Sequence, residues 1–435
     1  INYRRFFDIN GLAAIRTDRE EVFRASHVKV LNIADRHGAA GLRIDHPDGL
    51  LDPQMYLENL QTAYVLTVAH RLHQAGEERD NLPWTTIEPL LRELIDETPI
   101  DRHKPHDLYV VVEKILGYDE PYPPGWRSHG TSGYDALNRI NNLFVDASNG
   151  DTFLDRYEDW IDDSTPYREL AREKKLLVLS ASLASELQVL AYQLERIALQ
   201  DRRSRDFSQT PLRHALREVI AAFPVYRSYI TSRTVSEHDR VLVDRAVGLA
   251  TRSNPMISRS LFRFLRNVLL DRIDLPGDWS PEVISPAEFA GKFQQVTAPV
   301  MAKGLEDTVF YIFNRLASLN EVGGEPIRFG ASADSLHRWL AERAEQFPHA
   351  LTTLSTHDTK RSEDVRARIN VLSEIPDDWF AAVERWTKQN HAALSSIEDR
   401  EVPDHNETYF LYQNLLGAWP LDPMDDEAYT NFRDR

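Results

Sequence analysis

The 435-residue sequence contains no cysteine. That absence excludes a disulfide framework, a thiolate metal site and a cysteine nucleophile, and it suits a cytoplasmic protein. Positive charge is also short: 51 Lys and Arg stand against 68 Asp and Glu, a formal balance of −17. Such a surface repels phosphate, so nucleic acid and anionic membranes are not expected partners, whereas a neutral ligand is. No apolar run reaches the length of a membrane span, and nothing reads as a signal peptide, an internal repeat or a low-complexity tract. What is present, 42% hydrophobic and 10% aromatic residues, is enough to bury cores in two or three domains.

Three zones follow one another. In residues 1–150, "VFRASHVKVLNIADRHG" predicts a helix leading to the strand "AAGLRID", and "DPQMYLENLQTAYVLTVAHRLHQAG" predicts a long helix. "DLYVVVEKI" then reads as a second, β-branched strand buried on both faces, and this order points to parallel βαβ units. Residues 151–285 lack convincing strands. Leu183, Leu187, Leu190, Leu194 and Ile197 recur at helical spacing, as do Leu212, Leu216, Val219, Ile220 and Phe223, which predicts a packed helical subdomain. Residues 286–435 return to α/β texture, with "HALTTLSTHDTKR" strand-like and a helix starting within "SEDVRARINVL".

Three of these strand ends carry an acid. In "GLRIDHPDGLLD", alternation places Gly41, Arg43 and Asp45 on one face and Leu42 and Ile44 on the other. Glu113 ends "LYVVVE", and Asp358, preceded by His357, ends "LTTLSTHD". Ligands of parallel α/β folds bind at the C-terminal ends of the strands. An Arg43–Asp45 ion pair that merely holds a loop is the competing explanation for the first of the three. Acids converging at one barrel mouth suit glycosyl transfer, which needs one carboxylate as nucleophile and another as acid/base around an oxocarbenium-like transition state.

The same stretches carry a resemblance. "GLRIDHPDGL", "VVEKIL" and "STHDTKR" resemble three sequence regions of the α-amylase superfamily of (β/α)8 barrels. Together with "INYRRFFDINGLAAIR", "GTSGYDALN" and "APVMAKGLEDTVFYIFNRLASLNEVGG", they are similar to its maltooligosyl trehalose synthase family. The resemblance implies an α/β fold, a TIM barrel of α-amylase type that is partial in this chain. About strands four to seven would be present, with barrel segments in 1–150 and 286–435 and a helical insertion in 151–285. An Asp followed by Asn-His, the superfamily's third-strand region, is not found, nor is an eighth strand, so an internal segment of a longer enzyme is expected.

The resemblance also implies roles. Asp45 would be the nucleophile, Glu113 the acid/base and Asp358 the stabiliser of the transition state. Arg43 would orient Asp45 and keep it ionised, and His357 would bind sugar hydroxyls. His46, Arg5, Tyr134, Lys360 and Arg361 are further substrate-binding candidates. For His46 the alternative is a structural loop histidine, and for Lys360 and Arg361 a solvated helix start. Tyr3, Phe6, Phe7, Trp126 and Tyr134 could stack on sugars or simply pack. The implied activity converts the reducing-end α-1,4 bond of a maltooligosaccharide to α,α-1,1, with no metal or organic cofactor. The alternatives are α-glucan hydrolysis by the same acids, or a glucan-binding remnant without activity.

Overall fold

Charges at its two ends suit the dipole of the first long helix. α1 (Glu20–Arg36) opens on Glu20 and Glu21 and closes on Arg36. α2 (Pro53–Gln74) is capped by Asp52, which accepts the Met55 amide at 2.9 Å, and Pro53 takes the first-turn position where no amide hydrogen is needed. The computed structural model describes residues 9–36, 41–76, 82–98, 108–272 and 283–434, together with the backbone of Arg5–Phe6. The chain forms two units, one of Ile1–Asp135, Arg168–Val309 and Leu340–Thr352, the other of Ala136–Tyr167, Phe310–Trp339 and Thr353–Arg435.

In the first unit, β1 (Arg5–Phe6) and β2 (Ile9–Ala13) form an antiparallel pair, while β3 (Leu42–Ile44) and β4 (Val110–Val112) pair in parallel. The far edge of β4 is occupied too. Val112 bridges in parallel to Thr131, the His129 amide donates to Val110 O at 2.7 Å and the Ser132 amide to Val112 O at 2.9 Å. Beyond it, the Leu351 amide donates to Thr131 O at 3.1 Å. Hydrogen bonds thus link β3, β4, the 129–132 segment and Leu351 in that order. Leu57 and Leu60 of α2 are fully buried with Val110, Val112 and Trp126, which seats α2 on this sheet.

From Arg168 onward the helical zone lies in the same unit, while 151–167 belong to the other. Its helices Ala184–Ala198, Gln209–Ala221, Glu237–Ser253 and Arg259–Leu269 share one core with Pro286–Met301, the first helix of the third zone. Leu183, Leu187, Leu190, Leu194 and Ile197 are all buried in it, as are Leu212, Leu216, Val219, Ile220 and Phe223. Among the described residues no single helix is long and apolar enough to cross a membrane.

The second unit packs helices Gly150–Ile161, Pro376–Asn390 and His405–Ala418 through rings. Tyr409 lies 5.4 Å from Tyr157, 5.7 Å from Trp379 and 5.8 Å from Phe380, centroid to centroid. It also contains an exposed hairpin of β5 (Ser395–Ile397) and β6 (Arg400–Val402). The strand expected through "HALTTLSTHDTKR" does not form, and residues 349–361 are turns and irregular backbone. Among the described residues Leu351 pairs on one side only, and one hydrogen bond does not sustain a ladder. Asp358 therefore stands in a turn and ends no strand.

Burial lowers the Lys175 ammonium to about 8, with the Phe223 carbonyl accepting from Nζ at 3.0 Å. The unfolded chain binds this proton more tightly than the fold does, so stability should rise with pH from about 8 to the ordinary lysine value. Lys175→Met should raise stability at pH 7 by about 2–3 kcal/mol and flatten that rise. Urea unfolding at pH 7 and 9.5 reads both.

Candidate active site

β3 and β4 align Leu42 with Val110, Arg43 with Val111 and Ile44 with Val112. The Glu113 amide then donates to Ile44 O at 2.8 Å, so the ladder ends where Asp45 and Glu113 begin. Register-matched residues of parallel neighbours point to the same face, so these two carboxylates leave adjacent strand ends side by side. Gly41 permits this approach, because a Cβ there would lie 2.5 Å from Tyr109 O. Arg43 Nη1 donates to Asp45 Oδ1 at 2.6 Å, and the Asp45 side chain is 61% exposed. Burial opposes the charge on Arg43, but the bond to Asp45 and the nearby Glu113 outweigh it and hold the guanidinium above its ordinary value.

The two strand ends are also tied through the turn after β3. His46 takes a left-handed conformation, φ 44° and ψ 54°, and its amide donates to Glu113 Oε2 at 2.8 Å. A single 3₁₀ turn, Pro47–Gly49, follows. The imidazole of His46 lies over Gly49, where a Cβ would come within 2.5 Å of the ring.

On the buried side of the same two loops sits a second set of charges. Lys114 Nζ is 3.4 Å from Asp48 Oδ2 and 3.1 Å from Glu120 Oε1, with all three side chains at 5% exposure or less. Burial disfavours the lysine charge, yet the two carboxylates outweigh it and raise its pKa. The Tyr229 hydroxyl donates to Asp48 Oδ1 at 2.5 Å, and Arg227 Nη1 donates to the carbonyls of Asp48 and Leu50 at 2.8 and 2.6 Å.

In the second unit, His357 Nε2 is 3.1 Å from Asp358 Oδ2, and both side chains are exposed. Beneath their turn lies Glu321, completely buried. Its carboxylate accepts the amides of Val322 at 2.8 Å, Lys360 at 2.7 Å and Arg361 at 3.1 Å, and it pairs with buried Arg366 at 3.1 Å. Arg361 is turned into this unit: Nε donates to Asn414 at 2.8 Å, Nη1 to Ala317 O at 3.1 Å, and the guanidinium lies 5.0 Å from the centre of the Phe410 ring. Burial lowers its pKa.

No family model matches the chain. A Mycobacterium tuberculosis protein named provisionally as a maltooligosyl trehalose synthase is 30% identical over 419 residues, 96% of this chain and 45% of its own length. The structure of maltooligosyltrehalose synthase from Arthrobacter ramosus is 31% identical with a TM-score of 0.73, over 100% of this chain and 47% of that one. The Sulfolobus tokodaii hypothetical maltooligosyl trehalose synthase gives 27% and 0.68, over 99% and 46%. The chain is similar to maltooligosyl trehalose synthases over nearly its whole length. It spans under half the length of these synthases.

Of the residues singled out by likeness to the synthases, Arg43, Asp45, His46 and Glu113 come together in the first unit. Tyr134 and Trp126 are each 1% exposed, so they pack and offer no open ring face. His357, Asp358, Lys360 and Arg361 belong to the second unit, and Arg361 is neither a solvated helix start nor an open side chain. Arg5 and its neighbours Tyr3, Arg4, Phe6 and Phe7 lie outside the residues whose side chains are described. Sequence reading missed Lys114, Asp48, Tyr229 and Glu321. A signal for Lys114 existed: next to Glu113 on a buried strand, it must point inward and find carboxylates.

Glu321→Ala should remove the anchor of the 356–361 turn and leave Arg366 buried without a carboxylate. Urea unfolding should show a loss of about 3–5 kcal/mol, and hydrogen exchange of the Lys360 and Arg361 amides should become fast.

Proposed function

We propose that this chain carries the catalytic carboxylates of an intramolecular transglycosylase that turns maltooligosaccharides into maltooligosyl trehalose. The observation that carries the reading is the adjacency of Asp45 and Glu113 at the ends of two parallel, hydrogen-bonded strands. The likeness to the synthases over 96% of the chain supports it. The order β3, β4, 129–132 and Leu351 supports a further reading, that these segments occupy consecutive strand positions of an α-amylase-type barrel, about the fourth to the seventh. In that barrel 151–285 is the helical insertion between the segments 1–150 and 286–435.

Asp45 attacks the anomeric carbon of the penultimate glucose while Glu113 protonates the glycosidic oxygen. The α-1,4 bond breaks and a glycosyl ester forms on Asp45. The freed glucose stays in place and turns. Its own anomeric hydroxyl then attacks the anomeric carbon of the glycosyl ester and gives its proton to Glu113, which closes the α,α-1,1 bond and releases the Asp45 carboxylate. Two inversions give net retention. Arg43 holds the Asp45 carboxylate in its aim, and the His46 amide fixes the orientation of Glu113. Asp358 and His357, paired in the second unit, bind sugar hydroxyls in this reading. Mutase and hydrolase chemistry differ only in what attacks the ester, so the site must hold glucose and exclude water.

Incubating the full-length gene product with maltopentaose tests this. Proton NMR should show the reducing-end signal disappearing and an α,α-1,1 anomeric signal growing, with little free glucose. Growing reducing ends would establish a hydrolase instead, and unchanged spectra would establish a glucan-binding remnant.

A further inference from the structure

The turn after β3 and the chain after β4 are tied together twice. On the open side the His46 amide donates to Glu113, and on the buried side Lys114 pairs with Asp48. Glu113 and Lys114 are consecutive, so one backbone step separates the two ties. The buried tie is itself clamped by the helical zone. Tyr229 holds Asp48 Oδ1 at 2.5 Å, and Arg227 holds the carbonyls of Asp48 and Leu50. From the helix Pro286–Met301, Gln295 Nε2 donates to Gly49 O at 2.8 Å. Three consecutive residues, Asp48 to Leu50, are thereby fixed by side chains distant in sequence.

We infer that the segment 223–230 of the helical zone is a brace for the acid/base, with Tyr229, Arg227 and Lys114 as positioning residues for Glu113. The inference rests on the proposed role of Glu113. Arg227 and Lys114 are each 1% exposed and Asp48 4%, which keeps them from substrate, and half-buried Tyr229 spends its hydroxyl on Asp48. Their effect reaches the chemistry through the turn after β3, whose His46 amide holds Glu113 Oε2. His46 makes that contact from a left-handed conformation that a non-glycine residue keeps only when its surroundings over-determine it. A buried cluster of ions is no more stabilising than a well-packed apolar one of the same volume. What Lys114, Asp48 and Tyr229 supply is a fixed distance between two loops.

Tyr229→Phe in the full-length gene product tests the brace, since it keeps the ring and deletes one donor to Asp48. Two substrates are compared: maltopentaose, whose leaving oxygen needs the proton of Glu113, and α-maltosyl fluoride, whose leaving group does not. Turnover of maltopentaose should fall about tenfold, while the first-turnover burst of fluoride, which needs no proton from Glu113, changes less than about twofold. Asp48→Asn should give the same split, enlarged, and thermal unfolding confirms that both variants remain folded. Equal losses on the two substrates, or no loss on either, would overturn the brace and leave the proposed reaction standing. An unsubstituted protein inactive on both would overturn the reaction and the brace together.

Discussion

The hydrogen bond from the Glu113 amide to Ile44 O is the constraint on which the candidate site in the first unit depends. It extends the parallel ladder of β3 and β4 by one step and sets the register in which Asp45 and Glu113 emerge together. A slip of one residue would send one of the two carboxylates to the opposite face. The register is protected on both sides. Gly41 lets the strands approach, and Val110, Val111 and Val112 are all buried, which commits β4 to one position. The ladder is only three residues long, however, so the loops beyond it must be held by other means.

Those means are ionic and buried. Lys114 with Asp48 and Glu120 performs this task in the first unit, and Glu321 with Arg366 performs it in the second. In both, a buried charge gathers the ends of a turn whose exposed residues carry the proposed chemistry. A buried charge in this position makes the turn rigid, because any departure leaves an ion without its partner. The helical zone and the helix Pro286–Met301 contribute to the same end. Through Tyr229, Arg227 and Gln295 they bear on the turn after β3, so they belong to the site's support.

Much of this arrangement is legible in the sequence. The apolar spacing of Leu187, Leu190, Leu194 and Ile197 marks a helix face because the burial it predicts is local and repeats every turn. The β-branched run around Val111 marks a strand for the same reason. The acids Asp45 and Glu113 stand out because a packing strand has no use for a carboxylate at its end. What is not legible depends on partners. "LTTLSTHD" has strand composition, but among the described residues only its Leu351 bonds to a neighbouring segment of the sheet, and composition does not report partners. The β5–β6 hairpin turns through Glu398 and Asp399 at φ 50° and 62°, positions where Gly or Asn would have been the signal. Tyr229 and Asp48 meet across 181 residues, and nothing in either neighbourhood announces the other.

The most direct measurement of the central claim, that Asp45 and Glu113 act as a nucleophile and acid/base pair, is to trap the glycosyl-enzyme. The full-length gene product would be treated with a 5-fluoro α-glucosyl fluoride, which forms the ester and slows its breakdown, then digested and analysed by mass spectrometry. The account places the added sugar on Asp45, in a peptide spanning Arg43 to Asp52, with labelling abolished by Asp45→Asn and preserved in Glu113→Gln. A label on any other carboxylate, or one that survives Asp45→Asn, would contradict it.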